Sequence, residues 1–317
     1  MNTLAVVLER PEHLAVARVD LLSPGPADVV VDIDHSGVST GTEKLLWTGR
    51  MPAFPGMGYP LVPGYESVGR VREAGPDSGL RAGQTVFVPG ARCYREVRGL
   101  FGGAAARIVV PGERAVPIAD HLGEQGVLLA LAATAYHAVA IGGTRKHIRP
   151  PELIVGHGVL GRLLARMTVL GGHPPPVVWE RDARRQGGAD GYPVVRPDDD
   201  DRRDYRAIYD VSGDASVLDA LVGRLAPGGE IVLAGFYAAP IAFAFAPAFM
   251  REATIRCAAE WKKPDLLAVR WLVESGHLSL DGLVTHRAGA ERAADAYPVA
   301  FDDADCLKLV LDWRTCQ

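Results

Sequence analysis

The apolar positions along the chain change rhythm twice. Over the first 120 or so residues they come in short Val-rich runs at 4–8, 29–34, 67–73 and 85–88, bounded by Gly and Pro. Val is stiff at χ1 and suits a pleated strand better than a helix, so these runs predict strands. Turn chemistry is dense between them: SPGP at 23–26, FPGMGYP at 54–60, VPGY at 62–65 and EAGPDSG at 73–79. A helix has room only around 43–48. Many short strands joined by such turns predict a small barrel-like domain.

Near residue 123 the texture changes. Residues 124–141 contain no Pro and one Gly, Gly126, and are apolar on nearly every face, which predicts a buried helix. From Pro151 onward strand and helix patterns alternate: strand 153–155, helix 160–170, strand 177–180, strand 206–211 and helix 215–225. Then Pro227-Gly228-Gly229 breaks the pattern before a strand at 230–234. This is the rhythm of an open, doubly wound parallel sheet, so the fold class is α/β with a β-rich domain in front. The acidic stretch 198–204, DDDDRRD, reads as a solvated loop. A helix at 264–276 and a strand at 308–313 close the chain.

Two long uncharged runs, 126–143 and 231–250, bear on a membrane. A spanning helix needs about 20 apolar residues. The first run holds Thr134, Tyr136 and His137, and the second is broken by Pro240 and Pro247. Both are expected inside the protein, the second as a buried strand with Ile241, Phe243 and Phe245 on one face.

Composition narrows the class. At 48% hydrophobic and 23% charged the chain is neither disordered nor a coiled coil. A formal charge of −4 offers no basic field to a nucleic acid. Cys93, Cys257, Cys306 and Cys316 form no CxxC pair, which suits a reducing compartment. The first residues have no basic or long apolar region of a signal peptide, so a cytoplasmic location is expected.

The strongest chemical signal is Gly156-His157-Gly158-Val159-Leu160-Gly161. Alone, GxGxxG is weak. Here the apolar strand Leu153-Ile154-Val155 precedes it and a helix pattern follows. Gly156 permits a tight turn, Gly158 lets the backbone approach a diphosphate, and Gly161 allows helix and strand to pack closely. Free N–H groups at the helix start complete an anion site. About 20 residues on, Glu180 ends the next strand, where a carboxylate accepts ribose hydroxyls and repels a 2′-phosphate. NAD is therefore expected as cofactor. Arg181, Arg184 and Arg185 follow closely and temper that choice. Ser212, Gly213 and Gly235 end two further strands, where ligands of such sheets lie, and Thr134 joins the expected cofactor neighbours.

The order of these features, with LAPGGEIVLAGF, LVTHR and KLVLDW later in the chain, resembles the medium-chain dehydrogenase/reductase superfamily across nearly its whole length. The segments SGVSTGTEKLLWTGRMPAFPGMGYPLVPGYESVGRV (36–71), RGLFGGAAARIVVP (98–111), GEQGVLLALAATAYHAV (123–139) and ELIVGHGVLGRLLAR (152–166) are similar to the bacteriochlorophyllide a dehydrogenase (BchC) family of chlorophyll synthesis. The resemblance implies a GroES-like catalytic domain (1–122), a Rossmann domain (123–260) and a C-terminal segment (261–317) that returns to the catalytic domain. It implies oxidation of the 3-(1-hydroxyethyl) group of a bacteriochlorophyllide to 3-acetyl with NAD. It also implies a basic contact from Lys308 to the cofactor, and dimerisation is in keeping with the superfamily.

Departures from the superfamily shape the expected chemistry. Zinc-binding members carry Cys where Ser39 or Thr40 stands, His where Tyr65 stands, and a third ligand near Ala130. Zinc takes Cys, His or carboxylate donors, so no metal is expected. Without it a side chain must take the hydroxyl proton. Tyr65 is the first candidate, with Lys44 as the cation that would lower its pKa. Ser39, Thr40 and Thr42 are candidates to hold the oxygen or relay the proton, and Glu66 to orient or receive charge. The FPGMGYP loop and residues 241–250 offer apolar surface for a large flat substrate. Two alternatives remain at this point: a zinc-independent quinone or enone reductase, and an NAD-binding protein without turnover.

Overall fold

A computed structural model describes residues 1–53, 55–139 and 149–317. The chain divides into two compact units, Met1–Ala130 with Leu280–Gln317, and Leu131–Ser279.

The first unit is β-rich, as the Val runs predict. Its larger sheet runs in the order His286–Gly289, Leu309–Asp312, Asp28–Val38, Ser67–Ala74, Thr85–Val88 and Val116–Pro117, and Arg107–Pro111 also pairs with Asp28–Val38. A second sheet orders His13–Asp20, Asn2–Arg10, Leu61–Val62 and Arg98–Gly99. Asp28–Val38 is the hub, with Val29, Val30, Val31, Ile33 and Val38 all buried. They pack with Ala5, Val86, Ile108, Leu311 and Trp313 in one core. The last strand enters this unit antiparallel, Leu309 opposite Val38.

The second unit is built on six parallel strands. In space they run Val194–Val195, Val177–Trp179, Leu153–Val155, Tyr205–Asp210, Leu225–Leu233 and Thr254–Cys257. In chain order that is 3-2-1-4-5-6, so the winding reverses beside Leu153–Val155 and opens a crevice at the carboxyl ends there. Leu218, Leu221 and Val222 of the helix Leu218–Arg224 pack on Leu153, Ile208 and Ile231.

Several expectations change. The divisions fall at 130/131 and 279/280 rather than at 122/123 and 260/261, so the helix Lys263–Glu274 sits in the second unit. The buried helix is preceded by 3-10 turns over Asp120–Leu128, broken at Gly123, and is α-helical over Leu129–Ala138. Residues 140–141, its expected end, lie outside the described residues. The Pro-Gly-Gly segment follows the end of the helix Leu218–Arg224, as expected, but lies inside the next strand. It bulges within Leu225–Leu233, whose pairing jumps from Leu225 to Glu230. Residues 241–245 form no strand and are exposed, and a helix follows at Phe245–Met250. Pro247 stands in its first turn, where a missing N–H costs nothing. Phe245, Phe249 and Met250 are exposed there as well. No helix among the described residues is long and apolar enough to cross a membrane.

Candidate active site

In the second unit the glycine-rich turn links Leu153–Val155 to the helix Val159–Leu170. Gly156 has φ +105°, a conformation that favours glycine. A Cβ on Gly161 would lie 1.9 Å from the Gly156 carbonyl oxygen, so only glycine lets helix and strand approach this closely. A Cβ on Gly158 would meet nothing within 4 Å. One glycine is therefore needed by the fold itself, and another faces open space. The first intrahelical bond here runs from Arg162 N–H to Gly158 O. The N–H groups of Val159, Leu160 and Gly161 thus have no partner in their own helix.

Glu180 stands just past Val177–Trp179. One carboxylate oxygen accepts the His157 N–H at 3.1 Å and the other the Asp182 N–H at 2.9 Å. The acid and the turn are thereby brought together. Ser212, Gly213 and Gly235 lie at neighbouring strand ends. Buried Asp210 ties them, accepting from Ser212 N–H at 2.9 Å and giving its carbonyl to Gly235 N–H at 3.0 Å. A Cβ on Gly235 would sit 3.2 Å from Gly213 N. Thr134 is half-buried on Leu129–Ala138. Arg181 is exposed, 3.8 Å from Asp214, while Arg184 is held by Asp182 at 3.0 Å.

His157, expected among the cofactor neighbours as part of the glycine turn, has its ring turned into the protein. The ring is fully buried, with Nδ1 2.6 Å from Arg185 O and Nε2 2.9 Å from the Tyr192 hydroxyl. A carbonyl only accepts, so Nδ1 carries the proton and Nε2 accepts from Tyr192. Burial lowers its pKa to about 4, keeping it neutral. Only its backbone faces Glu180.

In the first unit the positions next to the helix Thr42–Trp47 gather a polar cluster. The Tyr65 hydroxyl donates to Ser39 Oγ at 2.7 Å, with Thr42 also hydrogen-bonded to it. Thr40 is half-buried in the preceding turn. Glu43 is fully buried and accepts from Ser39 N–H at 3.1 Å and from the Tyr297 hydroxyl at 2.9 Å. Burial above all raises its pKa to about 7, against the pull of those hydrogen bonds. Glu66 is also fully buried. Lys308 Nζ donates to its Oε2 at 2.6 Å, and its Oε1 has no partner. Asp28–Val38 pairs with Leu309–Asp312 on one side and with Ser67–Ala74 on the other. Lys308 and Glu66 thus meet at Gly37, where a Cβ would lie 2.3 Å from Oε2.

Three expected roles change with this geometry. Lys44 is not the cation beside Tyr65: its ammonium donates to Phe301 O at 2.7 Å and to Asp302 at 3.3 Å. Tyr65 has no cation to lower its pKa. Burial and the Glu66 carboxylate push it above the usual range, so it is a proton donor at rest. Lys308 is only 1% exposed and is spent on Glu66, rather than reaching outward for a diphosphate. Tyr297, Arg162 and Asp210 were not singled out as site residues from the sequence. Arg162 left a weak signal, as one of two arginines in a mostly apolar helix run, Arg166 being the other.

The zinc-ligand positions hold hydroxyls and a methyl: Ser39 or Thr40, Tyr65, and Ala130. Among the described residues no three His, Cys, Asp or Glu converge to hold a metal. This donor set does not fit zinc.

A β-rich unit with a buried acid–hydroxyl cluster and a second unit with a dinucleotide turn are the two parts of a medium-chain alcohol dehydrogenase. Residues 25–120 match the alcohol dehydrogenase GroES-like domain. A solved zinc-binding dehydrogenase from Sinorhizobium meliloti 1021, described as putative and bound to NADP, shares the fold with a TM-score of 0.81 and 21% identity, over 98% of this chain and 99% of that one. An alcohol dehydrogenase from E. coli CFT073 complexed with NADH does so at 0.80 and 21%, with the same coverage. The 2-desacetyl-2-hydroxyethyl bacteriochlorophyllide A dehydrogenase of Cereibacter sphaeroides is 58% identical over 99% of both chains. The chain belongs to this bacteriochlorophyllide dehydrogenase family.

Proposed function

We propose that the chain oxidises the hydroxyethyl side chain of a bacteriochlorophyllide to an acetyl group, with NAD as hydride acceptor and without zinc. The observation that carries the coenzyme reading is the Glu180 carboxylate bonded to the backbone of the glycine turn. Gly158, with open space above it, and the free N–H groups of Val159, Leu160 and Gly161 would hold the diphosphate. Glu180 would hold the ribose hydroxyls. A nicotinamide held there would supply the acceptor for the hydride of the carbinol carbon.

The chain's own residues handle the proton. Ser39 Oγ accepts the Tyr65 hydrogen bond with one lone pair and keeps the other for the substrate hydroxyl. It can then receive that proton and pass on its own. Glu43, already bonded to the Ser39 N–H and with a pKa of about 7, is the acceptor. The hydroxyl of Tyr65, donated to Ser39 Oγ, holds that oxygen oriented for the transfer.

Incubation with NAD and the hydroxyethyl pigment should yield the acetyl product and NADH, at a rate unchanged by chelators. Activity should rise as pH passes upward through about 7, because the acceptor is the ionised carboxylate. Glu43→Gln should remove that limb and lower kcat by roughly 10²–10⁴. A chelator-sensitive rate sinks the zinc-free mechanism. Turnover of quinones with NADPH, or coenzyme binding with no turnover, sinks the assignment itself.

A further inference from the structure

Arg162 is 5% exposed in the helix Val159–Leu170, and its guanidinium is spent on backbone carbonyls. Nε donates to His157 O at 3.0 Å and Nη1 to Gly188 O at 3.1 Å. Nη2 donates to both Arg185 O at 3.0 Å and Gly187 O at 2.8 Å. Four of its five N–H donors are thus placed, and every acceptor is main chain. A buried charge is costly unless polar groups converge on it. Here three of the four acceptors come from one loop, 185–188, that follows Glu180, and the fourth from the glycine turn.

That loop is shaped to receive it. Gly188 has φ +76°, and a Cβ there would lie 2.6 Å from Nη1. The same loop is gripped from two other sides. His157 Nδ1–H donates to Arg185 O, and Gln186 Nε2 donates to Glu180 O at 2.9 Å. The glycine turn and the segment after Glu180 are therefore laced together around a single guanidinium.

We propose that Arg162 is a positioning residue for the coenzyme site: it fixes the loop 185–188 against the glycine turn, and so sets the orientation of Glu180 and the preference for NAD over NADP. This rests on the reading of Glu180 as the ribose acceptor. Glu180 is oriented by the His157 and Asp182 N–H groups, and the backbone on both sides of it is anchored to Arg162 directly or one step away. Without the fork, four carbonyls lose donors and the carboxylate loses its fixed seat. Lysine is no substitute, since an ammonium cannot serve four carbonyls spread around a plane.

The test compares Arg162→Met and Arg162→Lys with the wild type. Expected for Arg162→Met are a KM for NAD raised about tenfold or more with kcat within about twofold, and a preference for NAD over NADP reduced about fivefold or more. Amide exchange over 183–192 in the coenzyme-free protein should speed up about tenfold, with the parallel strands unchanged. Arg162→Lys should restore little of either. Tyr192→Phe removes one hydroxyl and leaves the guanidinium in place. It should raise the KM for NAD roughly two- to fivefold, and it decides the matter should Arg162→Met fail to fold. A wild-type KM for NAD together with wild-type exchange at 183–192 in Arg162→Met overturns the proposal, as does an unchanged KM in Tyr192→Phe. A wild-type enzyme that prefers NADP would sink the Glu180 reading alone, and exchange, which needs no coenzyme, would still decide whether Arg162 holds the loop.

Discussion

Gly158→Ala separates a glycine kept for a ligand from one kept for the fold. The backbone at Gly158 is extended, φ −75° and ψ −170°, which alanine adopts without strain. Its Cβ would have no protein atom within 4 Å. The free protein should therefore hold its stability within about 0.5 kcal/mol. A diphosphate lying over Gly158 would meet the new methyl directly, because the backbone could no longer approach it. Affinity should fall at least about tenfold, a loss of about 1.4 kcal/mol or more. Gly161→Ala is the contrast. Its Cβ would sit 1.9 Å from a backbone carbonyl oxygen, where ordinary contact begins near 3.4 Å. Relief there requires moving the strand or the helix, at a cost of a few kcal/mol. NADH titration by fluorescence, paired with thermal melts, reads both effects. Wild-type NADH affinity in Gly158→Ala would refute the placement of the diphosphate, and a collapsed melting temperature would refute the open space.

Other outcomes follow from the buried charges. Lys308→Met leaves Glu66 ionisable, fully buried and unpaired, and should cost about 3–5 kcal/mol in urea unfolding of the first unit. Adding Glu66→Gln should recover much of it, whereas a single-variant cost below about 1 kcal/mol would mean the pair carries little. His157 has a folded pKa of about 4 against an ordinary 6.5. Its contribution is full above pH 6.5 and is lost as pH falls toward 4, since the unfolded ring takes the proton first. The stability gap between wild type and His157→Gln should narrow over that window by up to about 3 kcal/mol, and a gap constant with pH contradicts the buried neutral ring.

The nucleotide turn was legible because its rules are local. Gly156 needs its positive φ, and Gly161 its missing side chain, for reasons written within six consecutive residues. The strands at 85–88 and 153–155 appear at the expected places because β-branched residues between turns declare themselves. Segment 241–250 misled because alternation alone does not say which surface an apolar residue faces. Pro240 and Pro247 were the stronger signals, and they favour a loop and a helix start. Arg162 could be seen as a charge out of place, but its acceptors are carbonyls, and every residue type has one.

By itself, then, the sequence determined the glycine-rich turn and the strand and helix beside it, since these depend on neighbours along the backbone. Only the tertiary structure decided which buried charges meet. Lys308 finds Glu66 across 242 positions, and Tyr297 finds Glu43 across 254. The first meeting is set by the pairing of Leu309 with Val38 and of Ser67 with Ser36, and the second joins the helices Thr42–Trp47 and Ala293–Asp302. A one-residue slip in either strand pairing would turn Lys308 or Glu66 to the opposite face, so that buried pair depends on sheet register, which composition and spacing do not contain.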